Sequence, residues 1–327
     1  MKKLALLSAV ALTVGLFAGS ANAADPLRLQ LKWSADAQFA GYYVAQAKGY
    51  YKDANLDVTL LPGGPNIAPE QVIAGGGADV IVDWMAAALV AREKGVPLVN
   101  IAQPFKNGGL QLTCWKSSGV VTPADLKGKT LGVWFYGNEY PFFAYMSKLG
   151  IKATGDNPDV KVLQQAFNVD PLLQHQADCI STMSYNEYWQ VIESGVKPDD
   201  LVVFKYADQG ASMLEDGLYT TEDKLKDPAW VDRLARFVKA SQQGWDYAQK
   251  NPADAVKIVE SNDPTGAISD EHETHMMDAI NQLTAGGGAL DPAAYKTTVD
   301  MLLTQKIITK EPEGATTTVV TDAAGIK

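Results

Sequence analysis

Apolar and polar positions change rhythm repeatedly along this chain. Residues 27–33 alternate, with Leu27, Leu29, Leu31 and Trp33 set against Arg28, Gln30 and Lys32, which is the period of a half-buried strand. An Ala- and Tyr-rich segment with helical spacing follows over 38–52, then a strand at 56–61 closed by Pro62-Gly63-Gly64-Pro65. A short helix at 70–74 runs into Gly75-Gly76-Gly77 and a buried strand at 78–82. Because the glycines precede a strand and not a helix, they read as helix terminator and turn, not as a phosphate loop. The alternation continues with helix 86–94, turn 95–97, strand 98–102, strand 130–134, helix 140–149 and strand 160–163. Helix 170–175, strand 179–182, helix 188–194 and strand 201–204 complete it. After Asp227 the pattern is helical, over 230–250, 252–260, 270–283 and 292–303. This order predicts two α/β lobes with largely parallel sheets, and a helical tail that returns to pack on the first lobe.

The amino terminus adds a compartment. Lys2 and Lys3 precede an uncharged apolar run over 4–18, and Ala21-Asn22-Ala23 fits a small-x-small cleavage site. The run is too short to span a bilayer comfortably, and no cysteine follows it to carry a lipid. A leader over 1–23, removed to release a diffusible periplasmic protein, is expected. Removing those 23 residues from 327 leaves 304, more than one core usually supports. Losing the two lysines takes the formal charge from -10 to -12. That acidity argues against nucleic acid and anionic membrane surfaces as partners. Cys114 and Cys179 are the two cysteines, which leaves one bridge and two buried thiols equally open. With three histidines, no metal site is expected. His272 and His275 lie three apart in a carboxylate-rich stretch and are predicted to share a solvated helix face, not to form a ligand pair.

The motifs then fall into a recognisable order. Trp33, Gln38-Phe39-Ala40-Gly41-Tyr42-Tyr43-Val44-Ala45, Lys48-Gly49-Tyr50-Tyr51 and Leu56-Asp57-Val58 open the series. Gly76-Gly77-Ala78-Asp79-Val80, Gly95-Val96-Pro97-Leu98-Val99, Asp125-Leu126-Lys127-Gly128-Lys129-Thr130-Leu131-Gly132-Val133 and Asn251-Pro252-Ala253-Asp254-Ala255 continue it. Together they resemble the periplasmic binding proteins for thiamine-pyrimidine precursors, sulfonates and nitrate, a family to which the fungal hydroxymethylpyrimidine synthases are related. The resemblance implies the type II periplasmic binding protein fold, two α/β lobes joined by a two-crossing hinge. It places lobe 1 at 24–111 and 206–327, lobe 2 at 112–205, and the crossings near 109–113 and 205–209. It also implies an ABC importer permease in the inner membrane as partner, a small heteroaromatic ligand, no cofactor and a monomer.

Residue chemistry narrows the ligand. Loops predicted after strands carry Trp33, Asp83, Trp84, Trp134, Tyr136, Asn138, Glu139, Tyr140, Tyr185, Asn186 and Glu187, with Gln38 one turn beyond Trp33. Aromatics closing from two lobes can sandwich a flat ring, and carboxylates accept hydrogen bonds from ring N–H and amino groups. Arginine, which an anion would call for, is absent from the set. A pyrimidine or thiamine precursor fits this set; riboflavin, a sulfonate or nitrate are the alternatives. The fungal synthases use a histidine just before the Ala/Thr-Gly step and a cysteine-rich stretch that holds iron. Phe39 occupies that histidine position here and there is no cysteine cluster, so no catalytic residue is assigned and a binding role is expected in place of catalysis. Presenting a ligand to a receptor kinase would need the same fold and cleft, so transport and sensing both stay open.

Overall fold

Ten strands form among the described residues of this computed structural model, which are 23–166, 168–263, 265–266 and 268–327. In chain order they are β1 (Asp25–Gln30), β2 (Leu56–Leu61), β3 (Val80–Asp83), β4 (Leu98–Ala102) and β5 (Leu110–Trp115), then β6 (Thr130–Val133), β7 (Lys161–Gln164), β8 (Cys179–Met183), β9 (Leu201–Lys205) and β10 (Gly217–Thr221). The expected leader lies outside the described residues up to position 22. Among the described residues no helix is long and apolar enough to cross a membrane.

The strands make two five-stranded sheets, ordered β2-β1-β3-β10-β4 and β7-β6-β8-β5-β9. Parallel pairing holds for β1 with β2 and β3, and for β6 with β7 and β8. The largely parallel sheets expected from the alternation are instead mixed: β10 runs antiparallel to β3 and β4, and β5 antiparallel to β8 and β9. The exceptions share one cause. Each is the first strand laid down after the chain crosses between sheets, through 103–109 and back through 206–216, so neither follows the strand–helix–strand path that enforces parallel order. The first crossing therefore precedes the expected 109–113, most of which is strand β5.

Local chemistry explains the remaining departures. The helix expected over 38–52 breaks in two, Ala40–Ala47 and Tyr50–Asp53, because Gly49 adopts a left-handed φ of 79° between them. A 3-10 turn at Ala37–Phe39 precedes it, capped by the Asp36 carboxylate, which accepts from the Gln38 N–H. Helix Pro228–Lys250 starts on Asp227, whose carboxylate accepts from the Ala229 N–H, and packs across Ala40–Ala47. The crossing is close enough that a Cβ on Gly244 would lie 1.9 Å from the Gly41 carbonyl oxygen. Trp245 fills the space beside it, edge-on to Tyr42 and Phe105. This packing fixes where the 36–39 turn points, and that turn belongs to the site.

Two cross-links stiffen the frame. Cys114 and Cys179 face each other on β5 and β8 and form a disulfide, which resolves the choice left by the sequence. Its 65-residue separation corresponds to about 4 kcal/mol in the chain-entropy account. At the crossings, the buried Glu215 carboxylate accepts from the backbone N–H of Gly109 at 2.7 Å and of Leu110 at 3.1 Å. Burial pushes Glu215 up to about 8, against those two hydrogen bonds.

Candidate functional site: a slot between the two sheets

Four parallel strands end at the same gap. β1 delivers Lys32 and Trp33, β3 delivers Asp83 and Trp84, β6 delivers Trp134 to Asn138, and β8 delivers Met183 to Glu187. Carboxyl ends of parallel strands are where α/β sheets place ligands, because the following turns are free to vary there. The 36–39 turn adds Gln38. The resulting slot is lined by Lys32, Trp33, Gln38, Trp84, Trp134, Asn138, Met183, Tyr185, Asn186 and Glu187, with a free volume of about 20 Å³. Trp33 and Trp134 reach across from the two sheets and meet edge to face, with ring centroids 6.2 Å apart.

The electrostatics divide sharply between the two sides. On the first-sheet side Lys32 is buried and donates to the Asp83 carboxylate at 2.6 Å, while its ammonium lies 5.3 Å from the Trp84 ring. Burial alone would lower Lys32, but the charge of Asp83 and its hydrogen bond carry it above the ordinary lysine value. Gln38 donates to Asp216 at 2.6 Å. Burial raises Asp216 to about 6, opposed by that bond and by the charge of Lys32. Behind the turn, Asp36 and Glu273 are both buried; burial and the charge of Glu273 push Asp36 well up, and burial brings Glu273 to about 7. On the second-sheet side Glu187 is the one carboxylate among the described residues of the slot wall. It accepts from the Met183 N–H at 2.9 Å, and burial raises it to about 7. A carboxyl poised there can present either an acceptor or a donor to a ligand near neutral pH.

Eight of the twelve sequence-derived candidates, Trp33, Gln38, Trp84, Trp134, Asn138, Tyr185, Asn186 and Glu187, line this slot. Four do not. Asp83 sits behind it and is engaged by Lys32 and by the Trp84 N–H. Tyr136 is 44% exposed and faces an outer cavity. Glu139 bends back to accept from the Gly137 N–H at 2.8 Å. Tyr140 begins the helix Tyr140–Lys148 and packs against the apolar cluster around Met85 and Leu89. One turn cannot aim every side chain inward, and the 134–140 loop divides its residues between slot, outer cavity and core.

Sequence reasoning missed Lys32, Met183, Asp36 and Asp216. Lys32 counted as the polar phase of an alternating strand. Asp216 was invisible for a topological reason: β10 was not expected, and an antiparallel strand begins where its parallel neighbours end, so Gly217 pairs with Asp83. The histidine expectation also needs correction. His272 is buried, with one ring nitrogen 2.9 Å from Glu193 and the other 3.0 Å from Asn186, while His275 stacks on Trp189 at 4.0 Å. The helix face is solvated only in isolation; here it packs against helix Glu187–Glu193 of the opposite lobe.

Residues 36–255 match the family described as NMT1/THI5 like. The chain belongs to the NMT1/THI5-like family. That family match begins at the capping Asp36, after β1, and covers the other nine strands. Within reach of it, the chain is 24% identical to the formylaminopyrimidine-binding protein of Halalkalibacterium halodurans over 244 residues, 74% of this chain and 72% of that one. It is 30% identical over 243 residues to the 4-amino-5-hydroxymethyl-2-methylpyrimidine phosphate synthase of Aspergillus parasiticus, covering 71% and 69%. The fold is also that of the alkanesulfonate-binding protein SsuA from Xanthomonas axonopodis pv. citri, at a TM-score of 0.64 and 15% identity over 91% and 97% of the two chains. Relatives of this NMT1/THI5-like chain thus include binding proteins and synthases, and the architecture is the type II periplasmic binding protein fold.

Proposed function

We propose that this chain is the periplasmic solute-binding component of an ABC importer, and that it captures a flat nitrogen heterocycle, a pyrimidine or thiamine precursor. The observation that carries the reading is the slot itself. Two indoles from opposite sheets, Trp33 and Trp134, approach to 6.2 Å, flanked by Gln38, Asn138, Asn186 and Glu187 as hydrogen-bonding groups. Opening the lobes and inserting a ring would exchange one aromatic edge contact for two stacked faces, each worth about 0.5–1.5 kcal/mol beyond area burial. The lysine in the wall does not turn the slot toward anions, because Asp83 matches its charge. A relative that binds formylaminopyrimidine supports the same ligand class.

In this reading residues 24–111 and 206–327 form one lobe and 112–205 the other, with a leader over 1–23 removed on export. Ligand closes the lobes about the two crossings, and the closed face is what the permease reads. A synthase activity is disfavoured. Phe39, in the position where the related synthases carry a histidine, is fully buried, and both cysteines are spent on one disulfide.

A thermal-shift panel on residues 24–327, refolded to strip carried ligand, tests the proposal. At about 100 times its dissociation constant a ligand adds about 2.7 kcal/mol, or several degrees for a chain of this size. A shift with 4-amino-5-hydroxymethyl-2-methylpyrimidine and none with taurine or nitrate is expected. The reverse pattern would overturn the ligand class while leaving the fold intact.

A further inference from the structure

We infer that the slot continues past Trp134 into an outer subsite that takes a second, uncharged, flat group attached to the first ring. The inference rests on the reading of the slot as a heterocycle site. Trp134 lines two cavities at once: the slot, and an outer cavity of about 340 Å³. Pro65 and Asn66 wall the outer cavity from one lobe, and Phe135, Tyr136 and Gln164 from the other. The Trp134 indole N–H donates to the Ala166 carbonyl oxygen at 3.2 Å, on the outer cavity's own wall. One indole is thus a wall of both cavities, anchored on the side of the outer one.

The backbone supplies an independent sign. Tyr136 sits at a φ of 60°, left-handed for a bulky residue, and is 44% exposed. Such a conformation is strained and persists where surrounding bonds enforce it. Here Glu139 accepts from the Gly137 N–H on one side, and the Asn138 side chain donates to the Phe135 carbonyl on the other. These bonds hold the loop in the conformation that presents the phenol ring to the outer cavity. Across the opening, Ile67 follows Asn66 and is also exposed.

The lining decides the chemistry of the occupant. Among the described residues around this cavity no side chain carries a formal charge. A phosphate or sulfonate tail would find no cation, and an ammonium no carboxylate. The Gln165 amide is already committed to the Ser181 backbone through both of its ends. Asn66 and Gln164 are exposed and remain to meet polar atoms of the tail. The class that fits is a neutral ring or amide joined to the heterocycle by a short link.

Three probes share one 4-amino-2-methylpyrimidine ring and differ at C5: hydroxymethyl, benzyl and phosphooxymethyl. Titration calorimetry should find the benzyl compound at least tenfold tighter than the hydroxymethyl compound, and the phosphate no tighter. Tyr136→Gly, which tolerates the left-handed φ, should erase the benzyl advantage and leave hydroxymethyl affinity unchanged; Asn66→Ala should narrow it. A benzyl compound no tighter than hydroxymethyl, or an advantage that survives Tyr136→Gly, overturns the outer subsite alone. Failure of all three probes to bind the unsubstituted chain overturns the slot reading, and the outer subsite with it.

Discussion

Two regions hold the lobes together face to face, and they are built differently. The slot is made of loops that follow strands, and its contacts are aromatic faces and amides around a narrow gap. The second region, a clasp, is made of two helix surfaces. In it His272 and His275 of helix Asp270–Leu283 meet Glu193, Asn186 and Trp189 across the seam. Asn186 belongs to both, lining the slot while its side-chain oxygen lies 3.0 Å from His272. In the proposed function the slot's groups exchange partners when a ring enters, whereas the clasp's groups satisfy one another. On that proposal recognition belongs to the first region and support of the closed geometry to the second.

Substitutions can break that division, the largest effect coming from the slot. Trp33→Ala removes one face of the sandwich and should weaken pyrimidine binding about 100-fold or more, with the apo melting temperature nearly unchanged because Trp33 is only half-buried. Equal loss of affinity and of apo stability would make Trp33 a structural residue. Glu187→Gln keeps an acceptor for the Met183 N–H but removes the titratable group. About a tenfold loss of affinity at pH 8, shrinking toward pH 6, is expected from isothermal titration at both values.

The clasp should matter less and differently. His272→Gln can no longer span Glu193 and Asn186 together, so the closed state loses part of its support; about a threefold weaker affinity, carried by a faster off-rate in stopped-flow traces, is expected. A loss as large as that from Trp33→Ala would put the clasp inside the recognition machinery and collapse the comparison. The smallest signal is in pH. Asp216 at about 6, Glu187 and Glu273 at about 7 and Glu215 at about 8 all lie above ordinary carboxylate values because of burial. The folded state therefore binds more protons than the unfolded one between about pH 4.5 and 8. Their contribution is fully present below the unfolded values and is lost as pH rises through the folded ones. Apo melting temperature should fall by about 3 °C or more from pH 5 to pH 8, and Glu187→Gln should flatten that slope.

Much of the slot was legible in the sequence because its determinants are local. Trp84, Trp134 and Tyr185 each come within two residues of the end of a strand whose apolar run identifies it, and a strand end followed by an aromatic needs no tertiary knowledge to be noticed. The clasp was not legible. His272 and His275 read as solvated among Asp270, Glu271 and Glu273, and only the arrival of Glu193 from a helix 79 positions away in sequence buries His272. Asp216 and Glu215 were lost for a second reason. They depend on where the returning chain enters the first sheet, and Gly217-Leu218-Tyr219-Thr220-Thr221 carries neither a clear alternation nor an apolar run to announce β10. The start of β5 was misplaced as well, and with it the position of the first crossing. Local periodicity reports the parallel units of this fold well and its antiparallel entries poorly.

The central claim is that a flat nitrogen ring sits between Trp33 and Trp134. Intermolecular nuclear Overhauser contacts in the complex with 4-amino-5-hydroxymethyl-2-methylpyrimidine test it most directly. The account predicts contacts from the ligand's methyl and ring protons to the indole protons of both Trp33 and Trp134. Contacts to neither indole, with the ligand still bound, would contradict it.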